Sequence, residues 1–432
     1  MDIAKTPWSR GARVGFRFLF AYLVLYNLPF PLGQEVTATE WLGEAYEKGW
    51  NKVVIFLGKH VLHLSHEIAV EQTGSGDRTA DFVLLGCYFV LATVTTIVWS
   101  LLDNKRAEYT KLHAGLRIYI RYALAATMIS YGMFKVIKSQ FPFPGPGRLV
   151  EPYGESSPMG LLWTFMGYSV PYNVFAGTSE ILGGVLLFSR RTTTLGALVS
   201  AAVMSNVVML NFSYDVPVKQ YSSHLLLMAV FLAAPDLRRV FDFFVLHRAT
   251  RLVTLPRSML RAPWVERARV GLKAVFITTS CFASAKMSYE GWQTRGEGAP
   301  KVALEGLYEV ESFTREGEDV PPLLTDTTRW RRMWIRGENL VVQRMNDKKE
   351  RFGCKDDAEK HTVTLTSSNT GDDGAEPAKI VMRYTRPDDS HLTLDGTLEK
   401  DVLTVRLRKV DDSSRPLINR GFHWINEAPF NR

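Results

Sequence analysis

The chain has 432 residues, of which 46% are hydrophobic, and a formal net charge of +8 at pH 7. This length allows two or three domains. The charge does not favour nucleic-acid binding, because it falls mainly in short stretches between apolar runs, and no basic face with interleaved aromatics occurs in the polar part. Three cysteines without a CxxC motif exclude a disulfide framework and a cysteine-based zinc site.

Long apolar runs dominate the first two thirds of the chain. At about 20 residues for each crossing of a bilayer, they predict an α-helical membrane bundle over residues 1–286. The first run lacks a small-residue cleavage site, which predicts a retained anchor rather than a signal peptide. About seven transmembrane helices are expected, at residues 12–31, 80–102, 115–137, 171–189, 194–213, 222–241 and 267–286.

The basic residues predict the orientation of this bundle. They concentrate before the first predicted span and between the second and third, the fourth and fifth, and the sixth and seventh. If every predicted segment spans the membrane, these regions all lie on the same side of it. That side is expected to be the cytoplasm, because cytoplasmic loops are enriched in Lys and Arg. We therefore expect a multi-pass inner-membrane protein with a cytoplasmic N-terminus and a periplasmic C-terminal domain.

Two polar stretches fall on the opposite side. In the first, apolar residues at helical spacing predict an interfacial amphipathic helix at about residues 40–67, with a lid that merely packs as the alternative. His60, His63 and Glu67 would share one face of it, but one short helix rarely completes a coordination sphere, so structural or solvated histidines are favoured over a metal site. The second stretch, residues 138–170, is rich in proline and is expected to form a rigid cap over the bundle.

From about residue 300 the pattern changes to a period of two, which is typical of half-buried strands. About eight strands are expected, with a turn at Glu399-Lys400-Asp401. Their number predicts a small up-and-down, lipocalin-sized β-barrel at residues 300–432, with a sandwich as the alternative. The strand candidates are residues 302–310, 329–337, 340–345, 361–367, 378–385, 391–398, 402–410 and 421–432.

Polar residues on four of the predicted spans approach the outer leaflet at one level. An ionisable group at that depth needs a partner, an anchoring role or a chemical one. Helical spacing puts the first three of them on one face of the third span. The set comprises Tyr131, Lys135, Lys138, Glu180, Asn206, Asn211, Tyr214 and His224.

Three members of this set are candidate catalytic residues. A partly desolvated lysine gives up its proton more easily, so Lys135 is a candidate acid or base, with Glu180 as its partner and His224 as a proton relay or carbonyl ligand. The other five are candidate substrate-binding residues. The alternatives are that Lys138 reaches the headgroups, that the asparagines hold helices together, and that His224 is a satisfied helix-end histidine.

Four runs carry a family resemblance: YGMFKVIKSQFPFP, RLVEPYGESSPMGLLWTFMG, AGTSEILGGVLLFSRRTTTLGALVSAAVMSNVVMLNFSYDVPVK and SSHLLLMAVFLAAPD. They resemble the DoxX-like integral membrane proteins, most clearly over residues 115–242. The resemblance implies a four-helix core within residues 80–242, with Asn206, Asn211 and His224 facing its interior. Members of that family include a subunit of a thiosulfate:quinone oxidoreductase, which implies a quinone. The chain departs from the short family pattern in its added helices, its long outer loop and its β-domain.

Two functions are compatible with these features. The first is a bacterial inner-membrane DoxX-like protein that binds a lipid-phase small molecule, with a quinone as the candidate, in an outer-leaflet polar pocket and supports its redox or other modification. The second is a non-enzymatic assembly, transport or ligand-binding factor that uses the β-domain. The expected partners are the bilayer and a membrane or periplasmic protein, and not nucleic acid.

Overall fold

A computed structural model of the protein describes residues 8–32, 39–66, 68–71, 73–250, 263–367, 379–398 and 401–431. The chain divides into two compact units. A helical unit comprises Met1–Phe141 and Ser157–Gly291, and a β unit comprises Pro142–Ser156 and Trp292–Arg432.

The helical unit contains long helices that follow the apolar runs of the sequence. In chain order, the helices before the strands are α1 (Arg10–Asn27), α2 (Glu40–His60), α3 (Thr79–Leu102), α4 (Thr110–Val136), α5 (Pro146–Leu149, in the β unit), α6 (Pro158–Tyr168), α7 (Val170–Leu187), α8 (Thr193–Ser213), α9 (Lys219–Ala233), α10 (Leu237–Phe244) and α11 (Pro263–Arg295).

Four of these helices form a ring. Helix α4 packs against α7, α7 against α8, α8 against α9, and α9 against α4, while α1 packs on α3 and α4. The centre of this arrangement is apolar, with Leu124 and Leu187 among its fully buried side chains. A ring of packed helices around a shared core is the arrangement of a four-helix bundle.

Two described helices, α3 and α8, are long and apolar enough to cross a membrane. The structure therefore supports two candidate spans where about seven were predicted. Helices occur at all seven predicted places, but the others are too short or too polar. Helix α9 has 15 residues, α1 carries three arginines, and α4 carries four basic side chains.

Helix α2 occupies the stretch for which an amphipathic helix was predicted, but it ends at His60 rather than near residue 67. His63 adopts a positive φ of 47°, which interrupts helical geometry. The two histidines therefore do not share a helical face, so that part of the sequence reading was wrong, and Glu67 lies outside the described residues. Within the helical unit, Trp50 of α2 packs edge-on against Tyr88 of α3, with ring centroids 5.1 Å apart.

The β unit is a closed antiparallel barrel of eight long strands. Each long strand pairs with the next long strand along the chain, and the first, β1 (Gly306–Arg315), pairs with the last, β9 (Asp401–Lys409), to close the barrel. Its interior is filled by side chains that include Phe313, Trp330, Met333 and Met382. The strands are β1 (Gly306–Arg315), the two-residue β2 (Glu318–Asp319), β3 (Trp330–Arg336), β4 (Asn339–Arg344), β5 (Lys349–Asp357), β6 (Thr362–Ser367), β7 (Lys379–Thr385), β8 (His391–Leu398) and β9 (Asp401–Lys409).

Two strand assignments from the sequence were wrong, although the up-and-down barrel is confirmed. Strand β5 was missed, because Phe352 and Cys354 are its only buried side chains among charged neighbours. The closing stretch at 421–432 forms no strand in its described part, which follows the short helix α12 (Pro416–Asn419) and exposes aromatic residues such as Trp424. Of the predicted turn, only Asp401 falls within the described residues, and it begins β9.

The proline-rich segment 142–156 packs against the barrel. The carboxylate of Glu151 lies 3.6 Å from the ammonium of Lys349 on β5. A Cβ atom on Gly147 would lie 2.7 Å from the indole of Trp334, so only glycine fits against this β3 side chain. Within the β unit, its packing partners are barrel side chains.

Candidate functional site

A buried ion pair joins α4 to α7. The ammonium of Lys135 donates a hydrogen bond to Oε2 of Glu180 at 3.0 Å. Lys135 is 7% exposed and Glu180 is 3% exposed. Two charges at this depth remain stable only because each compensates the other, and the loss of either one would leave an uncompensated charge. The remaining two N–H groups of the ammonium can donate to a bound carbonyl or oxyanion.

Small residues bring these two helices close enough for the pair to form. Gly132 of α4 faces Gly177 of α7, three residues before each charged partner. A Cβ atom on Gly177 would lie 2.5 Å from the carbonyl oxygen of Gly132 and 2.9 Å from Cβ of Lys135. One heptad further along α7, a Cβ atom on Gly184 would lie 2.8 Å from the carbonyl oxygen of Ala125. Such contacts are typical of helices that associate in membranes.

Aromatic side chains extend the site from the ion pair toward α9 and α1. The ammonium of Lys135 lies 5.6 Å from the ring centroid of Tyr131, one turn earlier on α4. This ring lies 6.0 Å from that of Tyr221 at the start of α9, and Tyr26 of α1 lies in the neighbourhood of both tyrosines. Tyr131 is the exposed member of the group, so its ring is accessible from outside the bundle beside the ion pair.

His224 lies at the other end of this row of tyrosines. Its ring stacks on Tyr26 with centroids 4.0 Å apart. Its Nδ1 lies 2.7 Å from the carbonyl oxygen of Gln220, and its Nε2 lies 2.6 Å from the hydroxyl of Tyr22. A carbonyl oxygen can only accept, so Nδ1 carries hydrogen, and in the neutral ring Nε2 accepts from Tyr22. His224 is therefore held in one tautomer.

A capping carboxylate fixes the start of α9, and with it the position of His224. Asp77 accepts hydrogen bonds from the backbone N–H groups of Lys219 and Gln220 at 2.7 and 3.0 Å. These groups lack acceptors within the helix, and a carboxylate at a helix N-terminus is favoured by the helix dipole. The side chain of Gln220 also donates to the carbonyl oxygen of Gly76 at 2.8 Å. The loop before α3 thus anchors the helix that carries His224.

The other predicted site residues are placed in different environments. Asn211 donates to the hydroxyl of Ser222 at 3.0 Å and so joins α8 to α9. Asn206 is exposed, so the interior position that the family resemblance implied for it was wrong. Tyr214 packs in a separate cluster around Phe141 and Leu162, and Lys138 is buried just beyond α4 with a φ of 59°.

Sequence reasoning missed a buried amide next to the site. Asn173 is fully buried, and its Nδ2 donates to the carbonyl oxygens of Met166 and Ser169. Within the described part of the chain, its Oδ1 has no hydrogen-bond partner. Asn173 and Glu180 lie seven residues apart on α7 and hence on one face. The seven-residue spacing could be seen in the sequence. Tyr22 and Tyr26 could not be found in this way, because they belong to α1, which is distant in the chain from the other site residues.

Metal binding finds no support in the part of the chain that the structure describes. No group of three or more His, Cys, Asp or Glu side chains there is arranged to hold a metal ion. The arrangement is instead one of proton-carrying and hydrogen-bonding side chains around aromatic rings. Such a set can bind a carbonyl compound and exchange protons with it.

A comparison with known proteins found a bacterial relative of this chain. It is 34% identical over 126 residues to YwoB of Bacillus subtilis (strain 168), a match that covers 29% of this chain and 79% of YwoB. The chain belongs to the YwoB family. YwoB is described as an uncharacterized protein, so membership of the YwoB family assigns no substrate. No protein-family model matches the chain, and no solved structure does so at a significant level.

Proposed function

We propose that the helical unit is a membrane-embedded module that binds a lipid-phase small molecule of the quinone class beside the Lys135–Glu180 pair. The observation that carries this proposal is the buried ion pair itself, which lies beside the exposed ring of Tyr131. Ionisable groups inside a membrane are costly, and they usually mark a site or a proton path.

The exposed surface of α3 supports the membrane placement. This helix presents a row of large apolar side chains to its surroundings, which a water-soluble monomer rarely does. They are Phe82, Phe89, Val90, Leu91, Val94, Ile97, Val98, Leu101 and Leu102. Helix α8 is the second candidate span, and α7 packs along it. Because α4 packs along α7, the ion pair would lie at membrane depth. The basic regions favour a cytoplasmic N-terminus and a periplasmic barrel in a bacterial inner membrane.

The chemistry of the site fits a quinone. A quinone presents two carbonyl oxygens on a flat apolar ring, so it needs hydrogen-bond donors and aromatic neighbours. Lys135 offers free N–H donors, and Tyr131 and Tyr221 offer ring faces. Reduction and reoxidation of a quinone move protons as well as electrons, and Lys135 with Glu180 could donate or accept them. Within this proposal, the residues of the chain bind the molecule and exchange its protons.

The alternative function, a ligand held inside the β-barrel, receives less support. Phe313, Trp330, Met333 and Met382 fill the barrel interior and are almost wholly buried. A barrel of eight strands has room for either its own side chains or one small ligand. A role of the barrel surface in binding a membrane or periplasmic protein remains compatible with the proposal.

The test is extraction of lipids and quinones from purified protein, followed by mass spectrometry. We expect a quinone to copurify with the wild type and to be lost from Lys135→Met and Glu180→Gln. The double variant Lys135→Met/Glu180→Leu removes both charges and leaves neither unpaired, so its fold should survive. Lys286→Met is the matched control, because Lys286 forms an exposed pair with Glu290 at 3.7 Å. A folded double variant that retains the quinone would contradict the site, and a wild type without quinone would contradict the ligand class.

A further inference from the structure

One end of the helical unit carries a cluster of cations, here called the basic rim: Arg117, Arg121, Arg190, Arg269 and Lys273. It lies where α4 and α11 begin and where α7 gives way to α8. Arg190 and Arg117 are the cations near Arg121, and Arg121, Arg269 and Arg190 are those near Lys273. Like charges held this close repel one another, so the basic rim is a strong local attractor for an anion.

Arg121 is the buried centre of this rim. It is 7% exposed. One of its terminal nitrogens donates to Oγ1 of Thr193 at 3.3 Å, and its guanidinium carbon lies 5.2 Å from the ring centroid of Tyr122. Its Nε is buried and has no hydrogen-bond partner among the described residues. A guanidinium removed from water needs an anion or a full set of acceptors.

Carboxylates of the described chain do not supply that anion. Asp236 lies 3.7 Å from Arg117 but also accepts from Thr194 and Arg239. Glu266 pairs with Arg269. Asp236 thus lies beside Arg117 at the first turn of α8, and Glu266 neutralises Arg269, but among the described residues no carboxylate lies within ion-pair distance of Arg121, Arg190 or Lys273.

The start of α8 adds donors to the same place. The helix begins at Thr193, whose hydroxyl contacts Arg121, and the side chain of Thr192 forms no capping bond. The first backbone N–H groups of a helix lack acceptors within it and carry a partial positive charge. A guanidinium beside an uncapped helix N-terminus matches the oxygens of a phosphate.

Aromatic rings lie directly beside these donors. Tyr122, Phe188 and Phe276 contact one another with ring centroids 5.6 to 6.4 Å apart, and Nζ of Lys273 donates to the carbonyl oxygen of Phe188 at 2.5 Å. Cations above an aromatic surface suit a ligand with a charged head and an apolar body. A phospholipid has both, whereas inorganic phosphate has only the first.

We infer that the basic rim binds the phosphodiester of an anionic phospholipid headgroup, with Arg121, Lys273 and the N-terminus of α8 as its donors. The inference rests on the membrane placement in the proposed function and not on the small-molecule site at Lys135. Anionic lipid would thereby fix the end of the helical unit at which α7, α8 and α11 meet.

The test is a titration of the full chain in detergent micelles with phosphatidylglycerol, phosphatidylcholine or inorganic phosphate, followed by native mass spectrometry and thermal denaturation. We expect saturable binding of phosphatidylglycerol, with an affinity that falls about fivefold in Lys273→Gln and in Arg190→Gln. Lys286→Gln, an exposed lysine on the same helix as Lys273, should bind as the wild type does.

Three outcomes would overturn the inference. These are equal binding of phosphatidylglycerol and phosphatidylcholine, equal affinity in the wild type and both rim variants, and binding of inorganic phosphate as tight as that of phosphatidylglycerol. The last outcome would indicate an ion site rather than a lipid site. The quinone content of the Lys135 variants does not enter this readout, so the two proposals can fail separately.

Discussion

Gly132 and Gly177 face each other where α4 packs on α7, and a Cβ atom on Gly132 would lie 2.6 Å from the carbonyl oxygen of Gly177. Because the obstacle is backbone, it cannot rotate away as a side chain could. Lys135 and Glu180 each follow one of these glycines by three residues in the chain, so the separation of the helix backbones determines whether the charges meet.

This contact predicts that Gly132→Ala destabilises the protein. Overpacking of this kind costs about 1–3 kcal/mol, and it should lower the midpoint of thermal unfolding in detergent. The matched control is Gly115→Ala, on the same helix, where a Cβ atom would meet nothing within 4 Å. That variant should be neutral or slightly stabilised, because alanine favours the helix. Equal midpoints for the two variants would contradict the close packing.

The apolar face of α3 predicts contact with lipid. A nitroxide attached at Phe89→Cys, a position that is 57% exposed, should collide more often with oxygen than with a water-soluble nickel chelate after reconstitution in bilayers. A label at Val381→Cys on β7 of the barrel, which is equally exposed, should show the reverse preference. Both labels require a background without the native cysteines. Preferential collision with the nickel chelate at Phe89→Cys would contradict the membrane placement of α3.

The hydrogen bonds of His224 predict one neutral tautomer, with hydrogen on Nδ1 and a bare Nε2. Solid-state NMR of ¹⁵N-histidine-labelled protein should show this signature, assigned through its loss in His224→Gln. In Tyr22→Phe the Nε2 atom loses its hydrogen-bond donor, so the ¹⁵N resonance of Nε2 should shift. The free energy of unfolding should fall by about 1–3 kcal/mol, because a buried acceptor is left unpaired. Tyr131→Phe, which leaves these bonds intact, should not change the resonance. A signature of hydrogen on Nε2 in the wild type would contradict the network.

Cys354 is predicted to react slowly with alkylating reagents. Burial in the barrel, aided by the negative charge of Asp356, raises the pKa of this thiol to about 11. The thiolate is the reactive form, so labelling in a Cys87→Ser/Cys281→Ser background should be slow at pH 7.5. It should accelerate about tenfold for each pH unit up to the raised pKa. The unfolded chain should react at once, and rapid labelling of the folded protein at neutral pH would contradict the burial.

The same shift predicts how Cys354 links barrel stability to pH. The folded pKa lies above the ordinary value of 9.0, so the unfolded chain releases the thiol proton first. The stabilisation is fully present below pH 9 and is lost as the pH rises toward about 11. In Cys354→Ala this component of alkaline destabilisation should be missing, as measured by the difference between the two denaturation curves across that range.

Much of the fold was readable from the apolar runs and the period-two strands, because most long helices and most strands bury side chains of their own. Strand β5 escaped this reading since only Phe352 and Cys354 face inward among lysines and aspartates. The aromatic residues around Trp424 led to the prediction of a strand that does not form, and they are exposed rather than packed. The hydrophobic pattern of a segment predicts whether it is buried only when most of its buried side chains are apolar.

The candidate site, like the fold, could be predicted from the sequence only in part. The spacing of Tyr131, Lys135 and Glu180 within their helices was informative, and the structure places these three side chains together. The row of Tyr22, Tyr26 and Tyr221 depends on how α1 lies against α9, a relation between residues about 200 positions apart, as the bond from Tyr22 to His224 shows. No local sequence pattern indicates which residues meet across such a separation in the chain, so these tyrosines could not be selected from the sequence.

The pairing of β1 with β9 closes the barrel, so its long described strands already have neighbours on both sides. A partner protein therefore cannot join this domain by adding a strand of its own. Recognition must instead use side chains or loops, and the closed sheet protects copies of the chain from associating with one another through their strands.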